Sequence, residues 1–304
     1  MAIQKEIWER TLVENLFADN SFLSKAYNAD EWVVEGKVVH IPQAGSPSSV
    51  KKNRGDLPAT VKKRTDDELT FMLSEFTTDP ILIPHADTVE LSYDKRTSVL
   101  RNDQMNLMDQ VSKDFIFNWS PEGNNVLTTT GAEVDAYTSE ATGKRLGFSK
   151  KDLFTVMTQF NRDNIPQEGR YLLLDAMMYA QLLDDLTKTE NLAFHASADP
   201  KNGILGKLLS FNVMMRSDAA LYDATKKPKD WNTAGAATDL AAALAWHEQS
   251  VTRALGNVVA FEKEKDPTYY GDIYSFLVRA GGRIRRKDGK GVRAIVQGTV
   301  AAEE

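Results

Sequence analysis

The sequence predicts an α+β protein of two lobes, and three stretches predict it. Residues 94–118 contain no proline or glycine and place Leu100, Leu107, Met108, Val111, Phe115 and Ile116 on one helical stripe. Residues 170–175, Arg-Tyr-Leu-Leu-Leu-Asp, form a continuous apolar run of the kind found in a strand covered on both faces, and a helix bearing Leu182, Leu183 and Leu186 follows. Residues 32–41, rich in valine, and residues 59–75 flank a polar stretch broken by Pro42, Gly45 and Pro47, as the two legs of an extended hairpin would.

Taken in order, residues 3–27 carry Ile3, Ile7, Trp8, Leu12, Leu16, Phe17 and Leu23 at mainly helical spacing, an amphipathic N-terminal arm that needs a surface to lie against. The hairpin follows, with its tip at residues 43–58. Tip and return leg hold Lys51, Lys52, Arg54, Lys62, Lys63 and Arg64, and then Asp66, Asp67 and Glu68. An isolated two-stranded hairpin is marginal in water, so this charge-segregated one is expected either to dock on a neighbour or to stand as a solvated loop. The helix over 94–118 would be roughly 37 Å long at ~1.5 Å per residue, and Pro121 and Gly123 stop it.

The second lobe reads as α/β. Ser149 with Asp152 three residues on marks a helix start, Leu153, Val156, Met157 and Phe160 supply its buried stripe, and Ile165-Pro166 ends it. Asp175 is placed to cap the next helix. A strand is expected over 208–215. Residues 240–246 fit strand or helix by period, their alanines favouring helix. Strands are expected again over 272–284 and 292–297, joined by a turn at Lys287-Asp-Gly-Lys-Gly291.

Composition and motifs exclude several chemistries. The 304 residues include no cysteine, which removes disulfides, thiol nucleophiles and zinc ribbons. A net charge of −6 argues against tight nucleic-acid binding by the whole surface, because phosphate neutralisation needs clustered Lys and Arg. No apolar run is long enough for a membrane span or a signal peptide. His40, His85, His195 and His247 stand at no ligand spacing, and His247-Glu248 lacks the second histidine a zinc protease needs, since position 251 is valine. Neither a phosphate-binding Gly-rich loop nor a Gly-x-Ser-x-Gly elbow occurs, and no catalytic, metal or cofactor residue is expected. Arg54-Gly-Asp56 and Asn118-Trp-Ser120 are tripeptides that chance supplies. Gly281-Gly282 with Arg283, Arg285, Arg286 and Lys287 could touch phosphate; a salt-bridged subunit contact through Arg283 and Arg285 is as economical.

The order of arm, charged hairpin, long helix, α/β lobe and terminal strands resembles the Hong Kong 97-type major capsid protein of tailed bacteriophages along essentially the whole chain. Two stretches add sequence support. One runs from Ile165-Pro-Gln-Glu-Gly-Arg through Asp175 to Gly203-Ile-Leu-Gly206, Ser210-Phe-Asn-Val213 and Ser217. The other runs from Thr268-Tyr-Tyr-Gly-Asp272 to Arg286. The resemblance implies an N-terminal arm (1–35), an E-loop hairpin (36–78, its core matching 38–73), a P-domain with a spine helix (79–123), an α/β A-domain (124–265) and C-terminal strands returning to the P-domain (266–304). It implies a structural subunit and not an enzyme, forming pentamers and hexamers of an icosahedral head around double-stranded DNA bound without sequence specificity.

Contacts between copies are then expected at Trp8, Phe17, Lys51, Lys52, Arg54, Lys62, Lys63, Arg64, Asp66, Asp67, Glu68, Arg283 and Arg285. The family further implies a separate scaffolding protein, a portal and, in some members, a decoration protein, with synthesis in the host bacterial cytoplasm and residence in the virion. Met1 directly precedes the arm, so neither a fused scaffolding region nor removal of the N-terminus is expected. Some members cross-link a hairpin lysine to a neighbour's asparagine; no motif here selects the asparagine, and non-covalent assembly is expected. An encapsulin-like compartment shell of the same fold, and a two-lobed α/β enzyme with a deep polar pocket, remain the alternatives.

Overall fold

A computed structural model describes residues 20–34, 37–43, 50, 52–55, 61, 63, 67–84 and 95–300, and strand counts refer to these. Along the chain the main elements are β1 (Val38–Gln43), β2 (Asp67–Met72), α1 (Lys95–Trp119), α2 (Lys150–Arg162), β3 (Arg170–Asp175), α3 (Ala176–Asp185), α4 (Lys188–Ala196), β4 (Phe211–Arg216), β5 (Leu240–His247), β6 (Val251–Asp266), β7 (Gly271–Ile284) and β8 (Val292–Val296).

Two sheets organise them. A seven-stranded sheet runs Gly206–Leu208, β4, β3, β5, β8, Val126–Thr128, with Ala220–Tyr222 added on β5. Here β3 is parallel to β4 and antiparallel to β5. Every residue of β3, β5 and β8 is buried, as the apolar run in β3 predicts for a strand with both faces covered. On one face, Leu153, Val156, Phe160, Met178, Leu182 and Phe194 of α2, α3 and α4 pack on Leu172, Leu174 and Ile295. On the other, α1 lays Val111, Phe115 and Trp119 against Leu173, Leu244 and Val292.

The second sheet has five strands and is built on the long ribbon β6/β7, with Tyr27–Asn28 on one side and both Ser74–Thr77 and Ile81–Pro84 on the other. The α1 stripe is shared: Leu107, Met108, Val111, Phe115 and Ile116 are all buried, in one cluster with Phe276 and Val278 of β7. An aromatic chain pins the C-terminal end of α1. The Trp119 ring meets Phe22 at 5.9 Å, Phe115 at 5.8 Å and Trp246 at 5.7 Å, and its indole N–H donates to the Thr252 carbonyl at 2.8 Å. Gly281 and Gly282, read above as a possible phosphate contact, are buried instead. A Cβ on Gly282 would stand 2.5 Å from the Thr252 carbonyl and 2.7 Å from the Trp119 indole nitrogen, so the glycine permits the close approach of β7 to α1.

Local signals are realised as capped helices. The Asp152 carboxylate accepts from the Ser149 N–H at 2.9 Å, and Asp175 accepts from the Met178 N–H at 2.6 Å, each at its helix start. Several sequence expectations are corrected. Residues 240–246, left open between strand and helix, fall in the strand Leu240–His247, because the segment is sandwiched between β3 and β8. The expected single strand over 208–215 is broken at Leu209 and Ser210, whose φ values of 47° and 72° turn the chain into a tight hairpin between Gly206–Leu208 and β4. The Lys287–Gly291 turn joins β7 and β8, which lie in different sheets. The hairpin's return leg splits at Leu73: β2 pairs with β1, and Ser74–Thr77 pairs with β7.

Two of the chain's crossings between the two sheets run side by side. His247 to Val251 carries it from β5 to β6, and Ile284 to Val292 returns it from β7 to β8. The crossings are bonded to each other: the His247 N–H donates to the Gly291 carbonyl at 2.9 Å and the Arg285 N–H to the Ser250 carbonyl at 2.8 Å. Gly291 sits at φ +80°, with space for no Cβ beside the Ser250 hydroxyl.

Candidate assembly surface

The segment from Asn20 to Val34 lies as a strap across both sheets. Phe22 and Leu23 enter the core, the Trp246 indole N–H donates to the Lys25 carbonyl at 2.8 Å, and Tyr27–Asn28 pairs in parallel with Thr252–Arg253. Asp30 then accepts from the Leu255 N–H at 2.8 Å and lies 3.6 Å from Arg253. The arm predicted over 3–27 is therefore anchored at its C-terminal end, while Trp8 and Phe17 fall outside the described residues.

At the base of the hairpin, β1 and β2 pair from Val38↔Met72 to Gln43↔Asp67. Val39, Ile41, Leu69 and Leu73 bury one face against Ala29 and Ala254, so the base is fastened to the ribbon. On the outer face His40 Nδ1 lies 2.5 Å from Glu68 Oε1. Among the charged candidates Lys52, Arg54 and Lys63 are exposed, whereas Lys51, Lys62, Arg64 and Asp66 lie outside the described residues and Asp67 is placed only by its backbone pairing.

The two C-terminal candidates are engaged within the chain. Arg283 donates to the Thr70 carbonyl at 2.9 Å, linking β7 to β2. The Arg285 guanidinium lies 4.2 Å from the centre of the Tyr27 ring and reaches Gln249 at 3.3 Å, closing the strap.

Sequence reasoning missed the end of the β6/β7 ribbon. Asp266 is buried there, accepts from the Thr268 N–H at 2.8 Å and pairs with Lys263 at 2.7 Å, so the Lys263 ammonium holds its carboxyl below the usual range. This hydrogen-bonded turn presents Tyr269 and Tyr270, the latter 79% exposed, with Phe261 half exposed beside a charged run from Glu262 to Lys265. Exposed tyrosines on an ordered turn offer large contact area at low entropic cost. The signal was legible: Asp266-Pro267 punctuates the chain directly before two adjacent aromatics.

One open cleft of about 580 Å³ lies where α1 passes the start of α3 and the loop over 229–239. Its charged groups are paired among themselves. The Tyr137 hydroxyl donates to Asp175 at 2.7 Å, and Lys229 bonds the buried Asp239 at 2.6 Å. Lys113 sits 2.8 Å from Asp109 and 3.8 Å from Asp218. Burial raises the Tyr137 hydroxyl above its ordinary range, with the Asp175 carboxylate adding to the shift, so it stays protonated as a donor. Among the described residues no group of three or more His, Asp or Glu is placed to hold a metal ion, and no helix is long and apolar enough to cross a membrane.

Compared with solved structures, the chain is similar over most of its length to viral shells. It aligns with the capsid of Ralstonia phage GP4 at a TM-score of 0.64 and 12% identity, covering 92% of this chain and 88% of that one. The fold is that of the Hong Kong 97-type phage capsid proteins. The capsid of a native GTA particle matches this fold at TM-score 0.60 and 9% identity over 92% and 90% of the two chains. That of the cyanophage P-SCSP1u matches at 0.58 and 17% over 89% and 86%. Neither a protein-family model nor a curated protein sequence matches the chain. The capsid-type fold thus persists at identities where sequence comparison finds nothing.

Proposed function

We propose that the chain is the major capsid subunit of a tailed phage and assembles into pentamers and hexamers that close an icosahedral head around double-stranded DNA. The observation that carries this is the likeness to phage capsid chains over about nine-tenths of both partners, with no large region of this chain left over for another activity. In this reading the seven-stranded sheet with α2, α3 and α4 is the A-domain facing the symmetry axes, α1 is the spine, and the β6/β7 ribbon belongs to the P-domain; this moves β6 out of the A-domain bounds of 124–265 and β8 out of the strands of 266–304 expected to return to the P-domain, because each pairs in the other sheet. Hairpin, arm and ribbon tip reach neighbouring copies, so that many modest contacts multiply into a stable shell. The subunit would be made in the host bacterial cytoplasm, with a separate scaffolding protein, a portal and a possible decoration protein as partners, and would need no cofactor.

The test is expression of the chain alone, followed by sedimentation and negative-stain microscopy across salt concentrations. Closed shells, or rings of five and six subunits, are expected. A subunit that stays monomeric or dimeric at every salt concentration, and also when expressed together with the other head proteins of its genome, would sink the proposal. Shells that select protein cargo and exclude DNA would point to a compartment instead.

A further inference from the structure

A titratable group stands at the joint between the two sheets. His247 ends β5 where the first crossing begins, and its side chain is buried. Its ring Nδ1 accepts from the Gln249 N–H at 3.2 Å, so this nitrogen carries no proton and the ring is neutral. The Ser250 N–H closes the same short turn by donating to the His247 carbonyl at 2.8 Å, and the Glu248 N–H fastens it to the Gly169 carbonyl at 2.9 Å.

This turn carries the second crossing as well. Gln249 Oε1 accepts from the Arg285 guanidinium at 3.3 Å, and the Ser250 carbonyl accepts from the Arg285 N–H at 2.8 Å. Gly291 accepts from the His247 N–H and lies so close to the Ser250 hydroxyl that a Cβ would collide with it. Both crossings therefore rest on residues 247–250.

A proton on Nδ1 would change this turn directly. The nitrogen would become a donor facing the Gln249 N–H, two donors with no acceptor between them. The new charge would also stand opposite Arg170, the register partner of His247 on β3, whose guanidinium is itself buried. Like charges directly opposite in an antiparallel pair are destabilising. The charged groups facing the ring are Arg170 on β3 and Glu248 on its own crossing; the turn before β3 meets it through the Glu168 backbone, and the second crossing through the Gly291 backbone. Burial lowers the ring below the ordinary histidine range; the Glu248 carboxylate and a hydrogen bond to the Glu168 backbone oppose the shift, and Arg170 adds to it.

We propose that His247 makes the joint between the sheets pH-dependent: neutral, the ring locks the turn that carries both crossings; protonated, it releases that turn and lets the two sheets move against each other. The direction follows from the folded chain's resistance to the proton. The joint is at full strength above the ordinary histidine value of about 6.5, and weakens as pH falls through that value and past the lowered one. This is a property of the single subunit and does not depend on the assembly proposed above.

The test is hydrogen exchange, read by mass spectrometry, on the dilute full-length subunit at about pH 7.5 and about pH 5, with rates corrected for the intrinsic effect of pH. The expected result at the lower pH is a loss of protection of about tenfold or more in peptides covering 247–251 and 284–291, while the centre of β3 and β8 stay protected. In His247→Asn the side-chain oxygen takes the place of Nδ1 as acceptor and binds no proton, so protection should be equal at both pH values. Wild-type protection that does not change, that falls equally in His247→Asn, or that falls across the whole chain at once would each overturn the proposal. Proton NMR of the wild type gives a second reading that needs no variant. Of the four histidine rings one is expected to titrate below the ordinary value, and titration of all four at or above it would overturn the proposal as well.

Discussion

Arg170 is the most demanding residue in the second lobe, and replacing it tests how that lobe is held. It is fully buried at the start of β3 and donates to the carbonyls of Pro166 at 2.7 Å and Ile165 at 2.6 Å, to the Asn161 side chain at 2.9 Å and to the Ser210 hydroxyl at 3.1 Å. The guanidinium is flanked by Phe160 at 5.5 Å and Phe211 at 5.8 Å. One planar fork thus ties the end of α2, the prolyl turn and the Leu209–Ser210 turn to the central sheet. Arg170→Ala strands four acceptors, at roughly 1–3 kcal/mol each. Relief of the buried charge offsets part of that, leaving an expected loss of about 3–5 kcal/mol. For a chain of this size that corresponds to a fall in Tm of about 6–15 °C. Arg170→Lys keeps the charge but lacks the fork, and is expected to recover about half. Calorimetry on the unassembled subunit measures both. An alanine variant melting within about 2 °C of the wild type would refute the reasoning, since it would mean that the turns hold without the bridge.

Three further outcomes are expected. Gly282→Ala forces a methyl against the Thr252 carbonyl and the Trp119 ring and should cost about 1–3 kcal/mol in denaturant unfolding, whereas Gly55→Ala, with nothing within 4 Å, should change nothing. Burial, with Asp230 nearby, pushes the Asp114 carboxyl up to about 6. The folded chain then holds this proton more tightly than the unfolded chain, so ionisation costs stability above pH 6, by at most about 3 kcal/mol, and the cost is relieved as pH falls through 6 toward 4. Asp114→Asn should therefore raise Tm at pH 8 and leave it unchanged at pH 4; an equal shift at both would exclude the effect. Tyr269→Ser with Tyr270→Ser should leave Tm unchanged, because both side chains are exposed, yet slow particle formation in sedimentation. Normal assembly would remove the ribbon tip from the contact set.

Helices and their caps were legible in the sequence because their signals are local. Ser149 and Asp152, and Asp175 before Met178, act within one turn, and the stripe on α1 from Leu100 to Ile116 repeats over about four turns. The β6 strand was not legible. Its alternation slips where the register with β7 shifts between Leu255 and Val258, and from Glu262 to Lys265 it is charged on both faces. Residues 240–247 needed their neighbours: alanine favours helix locally, and burial between β3 and β8 overrides it. Arg170 looked like the polar start of an apolar strand, since nothing in one dimension shows that Phe160 and Phe211 close over it. At the ribbon tip the turn signal of Asp266-Pro267 is local, whereas the exposure of Tyr269 and Tyr270 is a property of the folded chain.

The paired crossings between the sheets have a mechanical consequence. Two linkers that bond each other form a short weld in place of a pair of tethers, so a shear applied at the ribbon is delivered directly into β5 and β8, which are neighbours in the seven-stranded sheet. A shell filled under pressure loads its wall in tension. In such a wall each subunit would carry the load along a continuous track of backbone hydrogen bonds, from the ribbon through the weld into the sheet, and the two lobes would yield together.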